Sequence, residues 1–467
     1  MNNGTQSLTG QLLTDLFLAC ALAGQIACPE ARGNEQILKT FSYADTNTNP
    51  WGLVQSADGA LYGLFSGGVF RLNSDGTGFK ILHRFGTIPD DAAYPIALVL
   101  GADGALYGTS EEGGGYFGGT VFKLNTDGAS YKLLHSFLGG SLPQAGLVYG
   151  TDGELYGTTF LGGASNSGTV FRLDPNSTNF LVLHNFGQST NDGTWPDAAL
   201  MQGTDGALYG TTSSGGTNET ALGGGTLFKL NRDGTGFIVL HCFPESTNDG
   251  TGPNTALVQG TDGYLYGTTV GGGSAYGGIV FRLNPDGTDY MVLHDFQGNN
   301  RRWTTPAPAL VQGGDGNVYG VTIDLAWPVT GAVFRLKPDG TVYTLVHVFG
   351  SFVGDGIDPD WLLRGTAGAF YGATWYGGSG AGAQGTVFRL TTSPSPPFVV
   401  SIVPLVGGGF TLSFDGVIGT TYRLDTSTNL SDWTTLGTVF NESGPVQFLD
   451  GNETKAPHRF YRAVLLP

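Results

Sequence analysis

One phrase recurs along the whole chain and limits its possible folds more than any other feature. Each copy has a tight turn, then Leu-Tyr-Gly or a close variant, a stretch of variable length, and a segment resembling Gly-Thr-Val-Phe-Arg-Leu. The tyrosine of the phrase is found at Tyr62, Tyr107, Tyr156, Tyr209, Tyr266, Tyr319 and Tyr371. Successive copies lie 45 to 57 residues apart. A period of this size, built from short strand patterns, predicts a radial array of small sheets, which is a β-propeller.

Each repeat contains four strand patterns, as one propeller blade does. They are a segment after a proline (253–258), the Leu-Tyr-Gly segment (208–212), the Val-Phe-Arg-Leu segment (170–173) and a segment with a histidine near its end (79–85). The last copy lacks its fourth strand, whereas an unattached strand, Ile37–Phe41, precedes the first copy. We therefore expect an all-β, seven-bladed propeller over residues 35–390, closed by an N-terminal strand that removes the open sheet edges.

The chain changes character on either side of the repeats. Residues 391–397 (TTSPSPP) resemble a linker, and residues 398–467 alternate as the strands of a small β-sandwich of the fibronectin or immunoglobulin type. Residues 1–34 contain an apolar run that resembles an export signal, although Asp15 interrupts it. We expect a secreted or cell-surface protein with no membrane span, because no apolar run reaches the ~20 residues that a span needs.

The charge of the chain argues against nucleic-acid binding, and its cysteines argue against a disulfide framework. The net charge is −17, and nucleic-acid binding requires clustered Lys and Arg. We therefore expect no nucleic-acid partner. The three cysteines, Cys20, Cys28 and Cys242, have no spacing typical of a disulfide framework.

Loop lengths predict which face of the propeller carries function. The Asp-Gly turns are nearly constant, whereas the other connections vary, and function usually lies on variable loops held by a rigid scaffold. We expect the constant turns to leave no room for a specific site. The variable connections are rich in aromatic residues, with two arginines beside them that favour an acidic sugar or a carboxylate. The candidate ligand-binding residues are Tyr116, Trp195, Tyr276, Arg301, Arg302, Trp303, Trp327, Trp375 and Tyr376.

The histidines and loop aspartates raise the question of a metal. Six histidines occupy the same fourth-strand position, at His83, His135, His184, His241, His294 and His347. Equivalent positions of a ring lie too far apart to share one ion, so we expect these histidines to be buried core residues. Asp192, Asp249 and Asp355 each lie four residues before a proline, with Asp197, Asp358 and Asp360 nearby. They either order their loops as Asx-turns or hold Ca²⁺; we predict no cofactor and keep Ca²⁺ as the weaker alternative.

The repeated phrases D-G-x-L-Y-G-T-T and G-T-V-F-R/K-L resemble the GloVer tandem repeat of bacterial secreted proteins over residues 35–390. The stretch from Tyr422 to Trp433, together with 459–462, is similar to small sandwich modules at the ends of such proteins. The resemblance implies export and a propeller. It implies no activity and no catalytic residues.

Three functions are compatible with these patterns. The first is an exported module that binds a glycan or a surface protein through the variable face. The second is a polysaccharide lyase or hydrolase that uses carboxylates of that face, such as Glu111, Glu112, Asp192, Asp324 and Asp355, although no spacing selects a pair. The third is a structural subunit of a cell surface or filament. We find no Gly-x-Ser-x-Gly, His-Glu-x-x-His or P-loop motif.

Overall fold

The structure, a computed structural model, describes most of the chain. The described residues are 35–42, 45, 49–189, 191–216, 224–244, 246, 248–296, 304–324, 331–350, 353–380, 382–391, 398–404, 410–415, 421–428, 432–440, 446–450 and 460–465. The chain divides into one compact unit over Glu35–Thr392 and a second that includes Ser393–Pro467. Every regular element among the described residues is a strand.

Four-stranded antiparallel sheets follow one another along the first unit. Strand β1 (Glu35–Ser42) comes first in sequence but belongs to the last sheet. Sheet 1 contains β2 (Trp51–Gln55), β3 (Leu61–Phe65), β4 (Gly68–Leu72) and β5 (Lys80–Arg84). Sheet 2 contains β6 (Ala92–Leu100), β7 (Ala105–Gly113), β8 (Thr120–Asn125) and β9 (Lys132–Ser136). Sheet 3 contains β10 (Val148–Tyr149), β11 (Leu155–Thr159), β12 (Thr169–Leu173) and β13 (Phe180–Asn185).

Two short strands, β14 (Gly193–Thr194) and β17 (Ser214–Gly215), pair with each other beside the next sheet. Sheet 4 contains β15 (Met201–Gln202), β16 (Leu208–Thr212), β18 (Thr226–Leu230) and β19 (Ile238–Cys242). Sheet 5 contains β21 (Val258–Gln259), β22 (Leu265–Gly272), β23 (Ile279–Leu283) and β24 (Met291–Asp295), with β20 (Gly250–Pro253) paired to the end of β22. Sheet 6 contains β25 (Thr304–Gln312), β26 (Val318–Asp324), β27 (Gly331–Leu336) and β28 (Tyr343–Val348). Sheet 7 contains β29 (Gly356–Arg364), β30 (Phe370–Gly377), β31 (Ala383–Leu390) and β1.

The repeated phrase corresponds to a network of bonds that sheets 2 and 4 show in full. In sheet 4 the Tyr209 hydroxyl and the Lys229 ammonium both donate to the turn carboxylate of Asp205, each at 2.8 Å. Gly210 lies beneath the ring of Phe228, and a Cβ added there would be 2.5 Å from the Phe228 Cζ. The turn aspartate, the tyrosine, the glycine, the phenylalanine and the basic residue therefore form one packed unit.

Neighbouring sheets contact each other through the fourth-strand histidines. The ring of His184 stacks on Phe237 of the following sheet at 3.7 Å, and that of His241 stacks on Tyr290 at 3.8 Å. Burial lowers the pKa of His83 and His135, which favours their neutral form. The histidines occupy separate boundaries between sheets, as packed core residues do.

The first and last sheets of the unit are adjacent. Strand β1 pairs antiparallel with β31 and supplies the fourth strand that the last repeat lacks. Lys39 takes the histidine position and places its ammonium 4.9 Å from the ring of Phe79 in sheet 1. The indole N–H of Trp361 in sheet 7 donates to the Leu53 carbonyl in sheet 1 at 2.9 Å. The chain ends of the unit are thus joined without a disulfide.

The C-terminal unit contains two three-stranded sheets. One contains β32 (Phe398–Pro404), β33 (Phe410–Asp415) and β36 (Val446–Asp450), and the other contains β34 (Thr421–Ser427), β35 (Thr434–Phe440) and β37 (Phe460–Leu465). Asp425 accepts hydrogen bonds from Arg423 at 2.9 Å and Arg462 at 3.0 Å. Burial opposes ionisation, but these bonds prevail and hold the pKa of Asp425 below its usual range. No helix among the described residues is long and apolar enough to cross a membrane.

Candidate functional site

The first strands of the sheets run from the variable connections to the constant turns and lie side by side. A Cβ added to Gly146, just before β10, would be 3.0 Å from the Ala97 Cβ and 3.6 Å from the Ala199 Cβ, in the sheets on either side. The residue immediately after each first-strand proline occupies the same place in its own repeat, toward the variable end of the first strand. We call this set the rim. Its described side chains are Trp51, Ile96, Gln144, Asp197, Asn254 and Asp360.

Backbone irregularities orient the rim. In sheet 7, Pro359 pairs with Thr374 and Trp361 pairs with Ala373, so Asp360 is the extra residue of a β-bulge. A bulge turns a side chain away from the regular alternation and is often found beside active sites. The same shift in sheet 2 isolates Ile96.

The residue before the proline is also unusual. Tyr94, Leu142, Trp195 and Asp358 all have φ between 46° and 62°, in the left-handed region that side chains rarely adopt. Each such residue costs on the order of 1–3 kcal/mol. Repetition of the same strained backbone at one end of successive sheets indicates a feature that the fold maintains. It is consistent with a functional face at the variable connections.

A pair of tryptophans forms the best-defined feature near the rim. The rings of Trp51 and Trp375 stack at 6.0 Å with an interplanar angle of 4°. The Trp51 indole N–H donates to the Pro95 carbonyl at 3.2 Å, and the Trp375 indole lies close enough to the Asp360 carboxyl to lower its pKa. The two rings support each other, while 39% of Trp375 remains exposed. We call Trp51, Trp375 and Asp360 the first platform.

The carboxyl group of Asp360 is poorly solvated. It is densely surrounded by protein, and this burial raises its pKa well above the usual value, although the nearby Trp375 indole opposes the shift. The nearby carboxyl of Asp358 adds to the rise, and burial also raises the pKa of Asp358. A carboxyl that keeps its proton can donate as well as accept a hydrogen bond.

A second platform with the same design lies at sheets 3 and 4. The ring of Trp195 stacks on Phe160 at 5.9 Å, and 37% of Trp195 is exposed. The backbone N–H and hydroxyl of Ser213 both donate to the Trp195 carbonyl at 3.0 Å. Burial raises the pKa of Asp197 to about 6. Each platform therefore combines an exposed, stacked tryptophan with a partly buried carboxyl group of raised pKa.

The raised pKa of Asp197 predicts a specific pH dependence. Since its folded-state pKa of about 6 exceeds the unfolded value of about 3.9, the folded state binds more protons between these pH values. Stability should fall as the pH rises through this window, by at most about 3 kcal/mol. Asp197→Asn should therefore raise the free energy of unfolding at pH 8 and change it little at pH 4, measured by urea denaturation. An equal effect at both pH values would contradict the assignment.

The structure places the ligand-binding residues predicted from the sequence in different surroundings. Tyr116, Tyr276 and Tyr376 are exposed on variable connections, and Trp195 and Trp375 belong to the platforms. Arg301, Arg302, Trp303 and Trp327 lie outside the described residues. The sequence did not single out Trp51, and it treated Asp197 and Asp360 only as residues near a calcium candidate. The signal that would have found all three is their shared position directly after the first-strand proline.

The aspartates considered for Ca²⁺ are buried and face histidines. Asp192 lies 3.3 Å from the Nε2 of His184, and Asp249 lies 3.1 Å from that of His241. The backbone N–H of Gln188 donates to Asp192 at 3.2 Å, as in a carboxylate that orders its own loop. Asp355 differs from both because a second carboxylate lies beside its histidine.

The constant face has a depression between two neighbouring turns. The turns of sheets 3 and 4 surround a cavity of about 410 Å³, lined by Asp152, Arg172, Asp205 and Arg232 among others. Arg232 and Asp152 already pair at 2.8 Å inside it.

The repeated four-stranded sheets and their solved relatives define the class of protein as a β-propeller-like, all-β repeat protein. Within this class, the chain belongs to the Gloeobacter/Verrucomicrobia repeat family, whose model matches residues 27–222 and 219–440. This match confirms the resemblance seen in the repeated phrases. We found no match among curated proteins.

Solved structures support the fold. A catalytically inactive virginiamycin B lyase from Staphylococcus aureus, with quinupristin, has a TM-score of 0.53 at 13% identity, covering 76% of this chain and 99% of the lyase. A streptogramin B lyase has a TM-score of 0.51 at 17% identity, covering 78% and 99%. The extracellular domain of a putative hybrid two-component system from B. thetaiotaomicron has a TM-score of 0.53 at 11% identity, covering 83% of this chain and 45% of that domain. At these identities the likeness concerns the fold alone.

Proposed function

We propose that this chain is an exported, seven-bladed propeller with a C-terminal β-sandwich, and that it binds glycans on the variable face. The observation that carries the proposal is the first platform, in which Trp375 stacks on Trp51 and has the carboxyl group of Asp360 beside it. Ligand sites combine apolar walls with a few oriented polar groups. A tryptophan fixed before the ligand arrives loses little conformational entropy on binding.

The chemistry of the platforms favours sugars over other small ligands. A pyranose ring presents an apolar face that packs on an aromatic ring, and hydroxyls around its edge that both donate and accept hydrogen bonds. Asp360, whose pKa is raised well above the usual value, can do both. Asp197 accepts hydrogen bonds above its pKa of about 6, and Gln144 and Asn254 add amides along the rim. The spacing of the platforms, at different sheets of one face, favours an extended oligosaccharide.

An extracellular location fits this function. The structural relatives include extracellular domains of sensor proteins from B. thetaiotaomicron. The net charge of −17 and the apolar N-terminal run agree with export. Charged residues make up only 13% of the chain, which agrees with a surface rich in hydroxyl and amide groups.

A glycan array with purified protein tests the proposal. Trp375→Ala should weaken binding to any glycan found by about 10- to 100-fold, because truncating a central aromatic contact costs ~2 kcal/mol or more. The matched control is Leu345→Ala, which removes an exposed apolar side chain from β28, away from the variable connections. Equal affinities of wild type and Trp375→Ala, measured by calorimetry, would place the ligand elsewhere.

A second function is favoured by one observation. Asp358 and Asp360 are neighbouring carboxyl groups with raised pKa values, a combination found in acid–base catalysis. A polysaccharide lyase or hydrolase would use Asp360 as the proton donor. Release of new sugar ends from a bound glycan, abolished by Asp360→Asn with binding retained, would establish the enzyme. If the wild type binds the glycan without releasing new sugar ends, the protein is a binding module and not an enzyme for that glycan.

A further inference from the structure

Two boundaries between sheets depart from a common pattern: Lys39 replaces the histidine between sheets 7 and 1, and the boundary between sheets 6 and 7 lacks the stacking ring. Elsewhere the ring four residues before a fourth-strand histidine stacks on the histidine of the preceding sheet. These pairs are His83–Tyr131, His135–Phe180, His184–Phe237, His241–Tyr290 and His294–Tyr343, with ring centroids 3.7 to 4.0 Å apart. At the boundary between sheets 6 and 7, the equivalent position in β1 is Glu35, four residues before Lys39. The histidine there, His347, faces a carboxylate instead of a ring.

The substitution brings three metal-ligating groups together. The Nε2 of His347 lies 3.4 Å from a carboxylate oxygen of Glu35 and 3.5 Å from one of Asp355. The three ligand atoms all lie within 4.8 Å of one another. The side chains of Glu35 and Asp355 are 0% exposed, and that of His347 is 7% exposed. The group is therefore a compact, buried set of one imidazole and two carboxylates.

We propose that Glu35, His347 and Asp355 bind a divalent transition-metal cation of the Zn²⁺ type, which fastens the N-terminal strand to the boundary between sheets 6 and 7. A tetrahedral Zn²⁺ with ligands at about 2.0–2.2 Å has ligand–ligand edges of about 3.3–3.6 Å. The two separations from His347 fit such edges. Imidazole nitrogen with carboxylate oxygen is a donor set that Zn²⁺ accepts, whereas Ca²⁺ prefers oxygen ligands alone.

Charge favours the cation as well. Two carboxylates this close repel each other, and buried charges in proteins are paired or coordinate metals. Distance alone does not separate this site from the simple His–Asp pairs, since His83 lies 3.6 Å from Asp91. The third ligand separates them, because among the described residues the ion pairs of His83, His184 and His241 each involve a single carboxylate.

The ligands come from three places in the sequence: β1, β28 and the loop before β29. A metal held by all three would stabilise the closed arrangement, since a ligand bound only by the folded state adds its binding free energy to folding. The cation is therefore assigned a structural role at the closure. This assignment does not depend on glycan binding.

The test uses the full chain and Zn²⁺ as the probe. Chelator-treated wild type should take up stoichiometric Zn²⁺, measured by elemental analysis after dialysis, and its melting temperature should rise. Glu35→Phe restores the ring found at the other boundaries, so it should fold but bind Zn²⁺ at least about tenfold more weakly. Asp192→Asn, which alters a His–Asp pair with one carboxylate, is the matched control and should keep full uptake.

Two further measurements complete the test. If Glu35→Phe fails to fold, Glu35→Gln replaces it, with the same expected loss of Zn²⁺. Co²⁺ bound to the wild type should give the visible spectrum of a tetrahedral site with nitrogen and oxygen ligands. Absence of uptake of Zn²⁺, Mn²⁺ and Co²⁺ by the wild type would overturn the proposal. Glu35, His347 and Asp355 would then interact with one another without a metal. Unchanged uptake in the folded Glu35 variant would overturn it too.

Discussion

A chain that begins at residue 43 should lose its cooperative unfolding transition, whereas one that begins at residue 34 should keep it. The difference is β1, which pairs with β31 along its length. Its Phe41 is fully buried and packs against Phe70 and Phe79 of sheet 1, with ring centroids 5.1 and 5.5 Å apart. Losing such a side chain alone costs about 3–5 kcal/mol. Removing the strand also exposes the edge of β31 and invites aggregation.

Calorimetry and size-exclusion chromatography of the two truncated chains would check this expectation. Phe41→Ala in the longer chain separates packing from strand pairing, because it retains β1 but removes the ring. We expect Phe41→Ala to melt cooperatively at a lower temperature. If the chain that begins at residue 43 melts as the longer one does, closure by β1 contributes nothing and the account of the fold is wrong.

Gly210→Val should be among the most destabilising single substitutions in the chain. A Cβ at Gly210 would lie 2.5 Å from the Cζ of Phe228 and 2.8 Å from the Cδ2 of Leu200. Neither ring nor leucine can move without displacing the core of sheet 4, in which both are fully or almost fully buried. Overpacking of this kind costs about 1–3 kcal/mol and occasionally more, and the added methyl groups of valine increase the clash.

Gly206→Ala is the matched control for Gly210→Val. Gly206 lies in the turn that precedes the same strand and has a φ of 81°, with no atom within 4 Å of an added Cβ. Its substitution should cost only the backbone strain, about 1–2 kcal/mol. Urea unfolding curves of both variants measure the difference. A larger loss at Gly206 than at Gly210 would mean that the repeated glycine serves backbone conformation and not the phenylalanine beneath it.

Much of the fold could be predicted because the same strand patterns occur in every copy of the repeat. The proline, Leu-Tyr-Gly, Val-Phe and histidine segments each mark a strand, and every copy reinforces the others. The orphan segment at 37–41 indicated where β1 would pair, since a sheet that lacks one strand leaves an open edge. The exposure of Trp195 and Trp375 on variable connections also followed from their position in the repeat.

The arrangement of the site could not be predicted because it depends on departures from the regular pattern. Strand alternation gives no warning that Asp360 lies in a bulge, or that Trp195 has a left-handed backbone. The stacking of Trp51 on Trp375 joins residues from the first and last sheets. The cluster at Glu35 arises in the same way, because its significance depends on the ring that other repeats have at that position.

Hydrogen–deuterium exchange with and without a bound glycan tests the central claim most directly, namely that the variable face binds ligand at the two platforms. We expect added protection at residues 50–52, 358–361 and 374–377 for the first platform, and at 193–197 and 212–215 for the second. Protection confined to the constant turns around Asp205, Asp262 and Asp315, with none at the platforms, would contradict the account.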